Sequence, residues 1–484
     1  INFRGRNIAV VGADRETTII DGNQSGPVVT LEAEDHNYTG IIKNLSIYNG
    51  SGIEHSSTRL KGGGGVFVRN DEHIATAIID NCIITGNDLN GSGKGSAVFF
   101  DFGSYGIIRN SILKENINLS EGVIFSWSDY LIENTLITQN TSRVVFQHSS
   151  WSPSTPIVNQ VTITNNFVPA GETDGYILGT QFDSQFDFRN TNIVDNEQQG
   201  LYIFGDSIGY NPSLSVNYCN ADYPNVDGTG NIDVDPMFVD TANGNYNLLA
   251  SSMLINAGHP ESTDSDGSRA DIGAYPYLNS YSGPTWYITE SGNDTIATGA
   301  SDHPFRSIQA GINFSSDADS VTVAAGTYVE NINFRGRNIK VVGEDRETTI
   351  IDGQQAGIVV DLPNVESSGY LIIKGFTIRN GYANGNMGNY GSFNQGAGIH
   401  VGHNYDPVYL SDLIIENCTA VSGGAGGFGG GIFSENSSLE LSNVQINNNS
   451  AVEKGGGLFF WGKPNDESTL NIENSYINGN SSND

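Results

Sequence analysis

Three aspartates set close together, Asp264-x-Asp266-Gly267 with Asp271, have the carboxylate density of a calcium loop. They lack the twelve-residue spacing and closing Glu of an EF-hand. The cluster therefore reads as a non-EF calcium site or as a polar capping turn. Other chemistry is sparser. Proton abstraction beside a sugar carboxylate needs a Lys or Arg base, usually with a metal ion to neutralise the acid. Glycosidic hydrolysis needs paired carboxylates. The chain contains no Gly-His-Gly, Arg-Ile-Lys, Arg-Pro-Trp or adjacent Asp-Asp. Arg69, Arg109, Lys114, Arg143, Arg189 and Arg379 are scattered and read as solvated turn residues. His55, His73, His148, His400 and His403 show no ligand spacing, and Cys82, Cys219 and Cys418 form no CxxC pair. No catalytic residue is assigned.

Aromatic residues give a second pattern. Short segments recur as Gly65-Val66-Phe67-Val68, Ala97-Val98-Phe99-Phe100, Gly122-Val123-Ile124-Phe125, Gly431-Ile432-Phe433 and Gly457-Leu458-Phe459-Phe460. Strand alternation sends Val66/Val68, Val98/Phe100, Val123/Phe125 and Leu458/Phe460 inward. It then sends Phe67, Phe99, Ile124 and Val145 outward, and likewise His400, Phe433 and Phe459, with Trp127 and Trp461 beside them. This is either a linear apolar surface that docks a sugar chain or protein partner, or a ladder that loops cover.

The elements that must position these residues are set by a repeat, Asn-x-x-[Ile/Leu]-x-x-Asn. It reads Asn81-Ile84-Asn87, Asn110-Leu113-Asn116, Asn134-Ile137-Asn140, Asn190-Ile193-Asn196, Asn443-Ile446-Asn449 and Asn474-Ile477-Asn480. Degenerate versions begin at Asn44, Gln160, Gly375 and Asp412. Successive starts differ by 24 to 37 residues, the period of a solenoid. Segments such as Val161-Thr162-Ile163-Thr164 alternate at period two, and neither a helical period nor a dense Leu framework appears. The fold class is therefore all-β, a parallel β-helix whose coils stack ~4.8 Å apart. Asn at the corners is expected to bond to the Asn one coil away.

A longer repeat is laid over the short one. Residues 1–26 recur at 332–357, differing only at Ala9/Lys340, Ala13/Glu344, Asn23/Gln354 and Ser25/Ala356. Two tandem β-helix domains follow: 1–277 with an Asp-rich cap over 227–277, a linker at 278–284, and 285–484. Asp302 and Pro304 suit the start of a short capping helix bearing Phe305, Ile308 and Ile312 on one face. A counterpart of 285–331 is expected ahead of Ile1, and more coils beyond Asp484. Arg4 and Arg6, with Arg335 and Arg337, are expected to pair locally with Asp14 and Glu16, or Asp345 and Glu347. Both copies carry a Gly-rich insertion between their first coils, residues 50–65 and 381–398, unlike in sequence. Varied loops on a rigid scaffold read as binding loops.

Composition narrows the partners. With 54 acidic against 22 basic residues, the net charge is −32. Such a surface repels nucleic acid and acidic polysaccharide, and attracts divalent cations or basic partners. No apolar run reaches the ~18 residues of a membrane-spanning helix.

The segments GNDTIATGASDHPFRSIQAGI, VAAGTYVENI and DGSRADIGAYPY, with the Asn-rich coils, resemble bacterial right-handed parallel β-helix proteins of the pectate-lyase-like superfamily. The Gly-Gly-Gly-Ile and Asn-x-x-Ile-x-x-Asn alternation of 429–480 is similar to polymorphic outer-membrane protein repeats, which are adhesin passengers. The resemblance implies an exported protein, extracellular or at the bacterial cell surface. It does not fix activity, because the superfamily holds lyases, hydrolases, esterases and non-enzymatic adhesins. The expectation is an adhesin-like module that binds a surface glycan or protein without catalysis, calcium assisting. The alternative is a polysaccharide lyase or glycoside hydrolase.

Overall fold

The computed structural model describes the chain except residues 34–35, 55–60, 71–72, 92, 199, 204–211, 224–227, 365–368, 385–394, 404–405, 422–426, 463–467 and 483–484. It is a parallel β-helix: nearly every described strand pairs in parallel with the strands one coil before and after. Two compact units form, Ile1–Pro236 with Asn256–Pro276, and Met237–Ile255 with Tyr277–Asp484.

The short repeat acquires a physical meaning at each of its positions. The leading residue is the corner. Asn44, Asn81, Asn110, Asn134, Gln160, Asn190, Asp412, Asn443 and Asn474 all have φ between 45° and 56°, and Gly375 has φ 79°. Asn, Asp and Gly tolerate this left-handed conformation best, which is why they recur there. The middle Ile or Leu points inward, as Ile84, Leu113, Ile137, Ile163 and Ile446 do. The closing Asn lies inside the coil stack. Asn87, Asn116, Asn140 and Asn166 are buried and joined in series, Nδ2 to the next Oδ1, at 2.8, 2.9, 2.9 and 2.8 Å, ending on Asn196. The other Nδ2 hydrogen reaches back one coil, Asn116 to Ile84 O at 2.9 Å and Asn140 to Leu113 O at 2.9 Å. Each interior Asn thus ties three consecutive coils.

Counting the coil that opens with INFRGRNI as the first rung, one outward column in unit 1 runs Asn2, Thr30, Phe67, Phe99, Phe125, Gln147, Gly179. In unit 2 the matching column runs Asn333, Asp361, His400, Phe433, Phe459. Inside, Phe100, Ser126, His148 and Thr180 stand in register beneath one another.

Unit 2 opens with Thr285–Ile288 paired to Ser320–Val323, which pairs to Lys340–Gly343. The helix Ile308–Phe314 covers this end, burying Ile308 and Ile312 alongside Phe305. It starts later than Asp302 and Pro304 imply. Its N-cap is Ser307, whose side chain makes no capping bond. The Glu330 carboxylate accepts from the Ile308 and Gln309 N–H groups instead, at 2.8 and 3.0 Å. Arg335 and Arg337 also depart from the expected local pairing. Arg337 donates to Ile312 O and Ser315 O at the helix C-terminus, and Arg335 to Ile255 O. The expected cap 227–277 is divided, because Phe238–Asp240 and its partner Asn245–Leu248 belong to unit 2. The expected linker is likewise held there: Tyr281 donates to Thr285 O at 2.7 Å and Asn279 to Thr298 O at 3.0 Å. Among the described residues no helix is long and apolar enough to cross a membrane.

Candidate ligand-binding surface

In unit 1 the outward aromatics are covered. Phe67, Phe99 and Phe125 are 3%, 0% and 1% exposed, with ring centroids 5.4 and 5.3 Å apart from rung to rung. A three-stranded strap, Ile53–Glu54, Lys61–Gly62 and Gly93–Lys94, lies over them. Gly62 sits against Phe99 so closely that an added Cβ would fall 2.5 Å from the ring. Buried Lys94 places Nζ 4.1 Å above Phe125 and 4.7 Å above Trp127, while pairing with Glu121 at 3.0 Å. The described ends of the 50–65 insertion therefore roof the ladder; residues 55–60, with His55, lie outside the described residues.

Two expected ladder members are corrected. Ile124 pairs with Val98, not Phe99, and sits in the interior core; Val145 is interior too. Phe125 takes the outward place. Register explains the slip. Pairing Val66, Val98 and Ile124 sets Gly122 level with Gly64 and Ser96, whereas the sequence repeat had aligned Gly122 with Gly65. In a Gly62–Gly65 run, glycine is an ambiguous anchor, and one residue of slip exchanges the two faces.

Trp127 lies at the rim of this roof, half-buried. It makes edge contacts to Phe99 and Phe125 and stacks on Phe102 with centroids 4.6 Å apart and planes at 15°. Phe102 is 47% exposed. Sequence reasoning missed Phe102, which falls in the turn Asp101–Gly103 outside the strand pattern.

Unit 2 arranges the column differently. His400, Phe433 and Phe459 stack with their rings nearly parallel, at centroid spacings of 5.8 Å and interplanar angles of 9° and 3°, and Phe433 in the middle is buried. Phe428 stacks on Phe459 at 4.8 Å. Above His400, its Nδ1 donates to Asp361 Oδ1 at 2.8 Å, and Asn333 Nδ2 donates to Asp361 Oδ2 at 2.7 Å. Trp461 stands beside the column on its last rung, 49% exposed where no further described strand pairs with Leu458–Trp461. It occupies the same place as Trp127: each follows the fifth-rung aromatic, Phe459 or Phe125, by two residues. Residues 385–394 of the second insertion lie outside the described residues.

The aspartate cluster does not converge on a point. Asp264 accepts from Gln160 Nε2 at 2.7 Å and from the Asp271 N–H at 2.8 Å. Asp266 accepts from Ser268 N and Oγ at 3.0 and 2.6 Å, and Asp271 from Asn256 N at 2.7 Å. Burial raises the Asp264 carboxyl above its ordinary range. These are ties within a polar turn, and among the described residues no group of three or more His, Cys, Asp or Glu side chains is gathered to hold a metal ion.

The remaining candidates also have structural duties. His148 is fully interior, bonded to Ser126 Oγ at 2.6 Å and Ser154 Oγ at 2.8 Å. Burial pushes its pKa down to about 3. Arg109 and Lys43 both pair with Asp80 at 3.2 Å, and Arg379 with Asp352 at 2.8 Å. The three cysteines are free and buried, and burial pushes the thiols up, Cys82 to about 11 and Cys219 and Cys418 to about 12.

No protein-family model matches the chain, and no curated protein matches it. Among solved structures the chain is similar to a mutant of the PL6 family alginate lyase AlyGC. The identity is 13%, with 98% of this chain and 82% of that chain covered, at a TM-score of 0.24. That likeness carries no argument here; the parallel β-helix rests on the strand pairings themselves.

Proposed function

We propose that this is an exported, non-catalytic β-helix module that binds an uncharged sugar chain at the rim of its outward aromatic column. The observation that carries the reading is the pair of tryptophans. Trp127 and Trp461 stand at the same rung and the same position within it, although the insertions between the second and third rungs differ in sequence. Trp127 packs on Phe99 and Phe125 while remaining partly exposed, and an indole offers a flat apolar face with a polar edge, suited to the hydroxyl-rich, C–H-bearing face of a pyranose. Phe102 widens that face in unit 1. A net charge of −32 disfavours anionic polysaccharides over neutral ones. Two sites on one chain raise avidity without any new contact.

The test is affinity electrophoresis of the whole chain through gels containing hydroxyethylcellulose, galactomannan or xylan, with alginate as the anionic arm. Retardation by at least one neutral polymer is expected. It should weaken with Phe102→Ala or Trp461→Ala and disappear when the two are combined. Unsaturated product absorbing in the ultraviolet after incubation with alginate would instead establish the lyase alternative.

A further inference from the structure

A solenoid ordinarily couples each coil only to its two neighbours. Both units depart from that rule at the same place. In unit 1 the first-coil turn 13–18 carries Arg15, whose Nη1 group donates to Asn81 Oδ1 at 3.2 Å and to Asn110 O at 3.1 Å, at the corners of the third and fourth coils. In unit 2 the equivalent Arg346 donates through Nη1 to Asn443 O, at the fourth corner, at 2.9 Å, and lies 3.6 Å from Oδ1 of Asp412, at the third. The second coil is engaged as well: Ser46 Oγ donates to Arg15 O and Thr377 Oγ1 to Arg346 O, both at 2.7 Å. Each turn is fixed by the aspartate before the arginine. Asp14 accepts from the Glu16 N–H at 3.0 Å and Asp345 from the Glu347 N–H at 2.9 Å, an Asx turn that sets the backbone from which the long side chain reaches out. The same contact thus recurs in both copies, over 95 and 97 residues of chain.

The span of this arginine includes the junction that both units interrupt. The third corner follows the second by 37 residues in each copy, Asn44 to Asn81 and Gly375 to Asp412, against 24 to 31 at the later steps, because the insertions 50–65 and 381–398 lie between those coils. A longer connection costs more entropy to close, so the second and third coils are the pair that the chain itself joins least tightly. We propose that Arg15 and Arg346 are axial braces that clamp the first four coils of each unit into one cooperative block, and so keep the second and third coils in register whatever loop is carried between them. A guanidinium suits this role: it is permanently charged, its planar fork presents several hydrogens at once, and bonds from an ionised donor are stronger than neutral ones. The brace is identical in the two copies while the insertions beside it differ in sequence. A fixed clamp next to a variable loop is what a graft site requires, and it holds independently of what the aromatic rims bind.

The experiment uses the whole chain and hydrogen exchange read by mass spectrometry, each unit serving as the control for the other. Arg346→Ala is expected to speed exchange about tenfold or more in peptides covering Leu371–Arg379, Val408–Glu416 and Leu439–Asn447, the second to fourth coils of unit 2, the equilibrium weight of one charge-assisted hydrogen bond. Unit 1 should keep the parent rates. Arg15→Ala should act likewise on Tyr38–Lys43, Ala75–Asp80 and Ser104–Arg109, and leave Ile157–Thr164, beyond the brace, unchanged. Arg346→Lys keeps the charge and the stem but not the fork, and should fall between Ala and the parent. About ten Gly and Ser residues added after Asn384 should change exchange of Val408–Glu416 by no more than about twofold in the parent. In Arg346→Ala the same lengthening should speed it by more than the product of the two separate effects. A rise confined to the first coil, or spread evenly through the unit, would overturn the brace. Effects that simply multiply would overturn its role at the insertion.

Discussion

Acid should loosen the middle of unit 1 through His148. The imidazole is enclosed by Ser126, Ser154 and Tyr130 and is neutral in the folded chain, its pKa pushed down to about 3. In the unfolded chain it titrates near its ordinary value of ~6.5. Because the folded pKa is the lower one, the contribution to stability is complete above ~6.5 and is lost as pH falls toward 3. Between those limits the loss is ~1.4 kcal/mol per pH unit, or ~2 kcal/mol at pH 5. The perturbation is His148→Gln, which keeps a polar group for the two serines but does not titrate. Packing differences shift its stability by a constant, so the informative quantity is the wild-type minus variant difference as a function of pH. Urea titrations read by hydrogen exchange in peptides spanning Val144–Ser154 localise the effect to these coils. The difference should shrink by ~2 kcal/mol from pH 8 to pH 5. Parallel pH dependences for the two proteins would refute the claim that a neutral imidazole is locked in this core.

Three further outcomes follow from the geometry. Gly62→Val drives a side chain into the Phe99 ring, where even Cβ falls at 2.5 Å; it should destabilise unit 1 by ~1–3 kcal/mol in chemical denaturation or lift the strap, making Trp127, which packs on Phe99, more accessible to collisional fluorescence quenchers. Asn140→Leu removes bonds to Leu113 O, Asn166 Oδ1 and the Asn116 N–H at 2.9, 2.9 and 3.0 Å. With several buried groups left unpaired at ~1–3 kcal/mol each, a loss of ~3 kcal/mol or more is expected in the same assay. Because Asp264, Asp266 and Asp271 are committed to separate protein donors, EDTA should leave the melting temperature unchanged; a drop on chelation that calcium reverses would restore the calcium loop.

The solenoid was legible because its repeat encodes backbone geometry twice. The leading Asn answers a left-handed corner and the closing Asn an interior bonding position, so both recur whatever lies between them. The faces of individual rungs were less legible. Glycine marks corners but not register, which misplaced Ile124 and hid Phe125. His148 was invisible as a core residue because its polar partners Ser126 and Ser154 come together only across coils. The hairpin Phe238–Asp240 with Asn245–Leu248 reads locally like the end of the first repeat. Its membership of unit 2 depends on tertiary bonds such as Asn313 Nδ2 to Ala250 O and Ser252 O, at 3.0 and 2.8 Å. The Asp361–His400 pair had the same obscurity: 39 residues separate partners that one coil makes neighbours.

The interior asparagines have an electrical consequence. From Asn87 to Asn166 each amide donates one hydrogen to the amide oxygen of the next coil, so the side-chain bonds from Asn to Asn all run in one sense and end on Asn196. Their dipoles add head to tail along the solenoid axis, and each polarises its neighbours in a medium that screens poorly. Strands running across the axis contribute little to such a field. In a chain of net charge −32, unit 1 thus carries an oriented row of amide dipoles inside its coils, and the two ends of that row differ electrostatically.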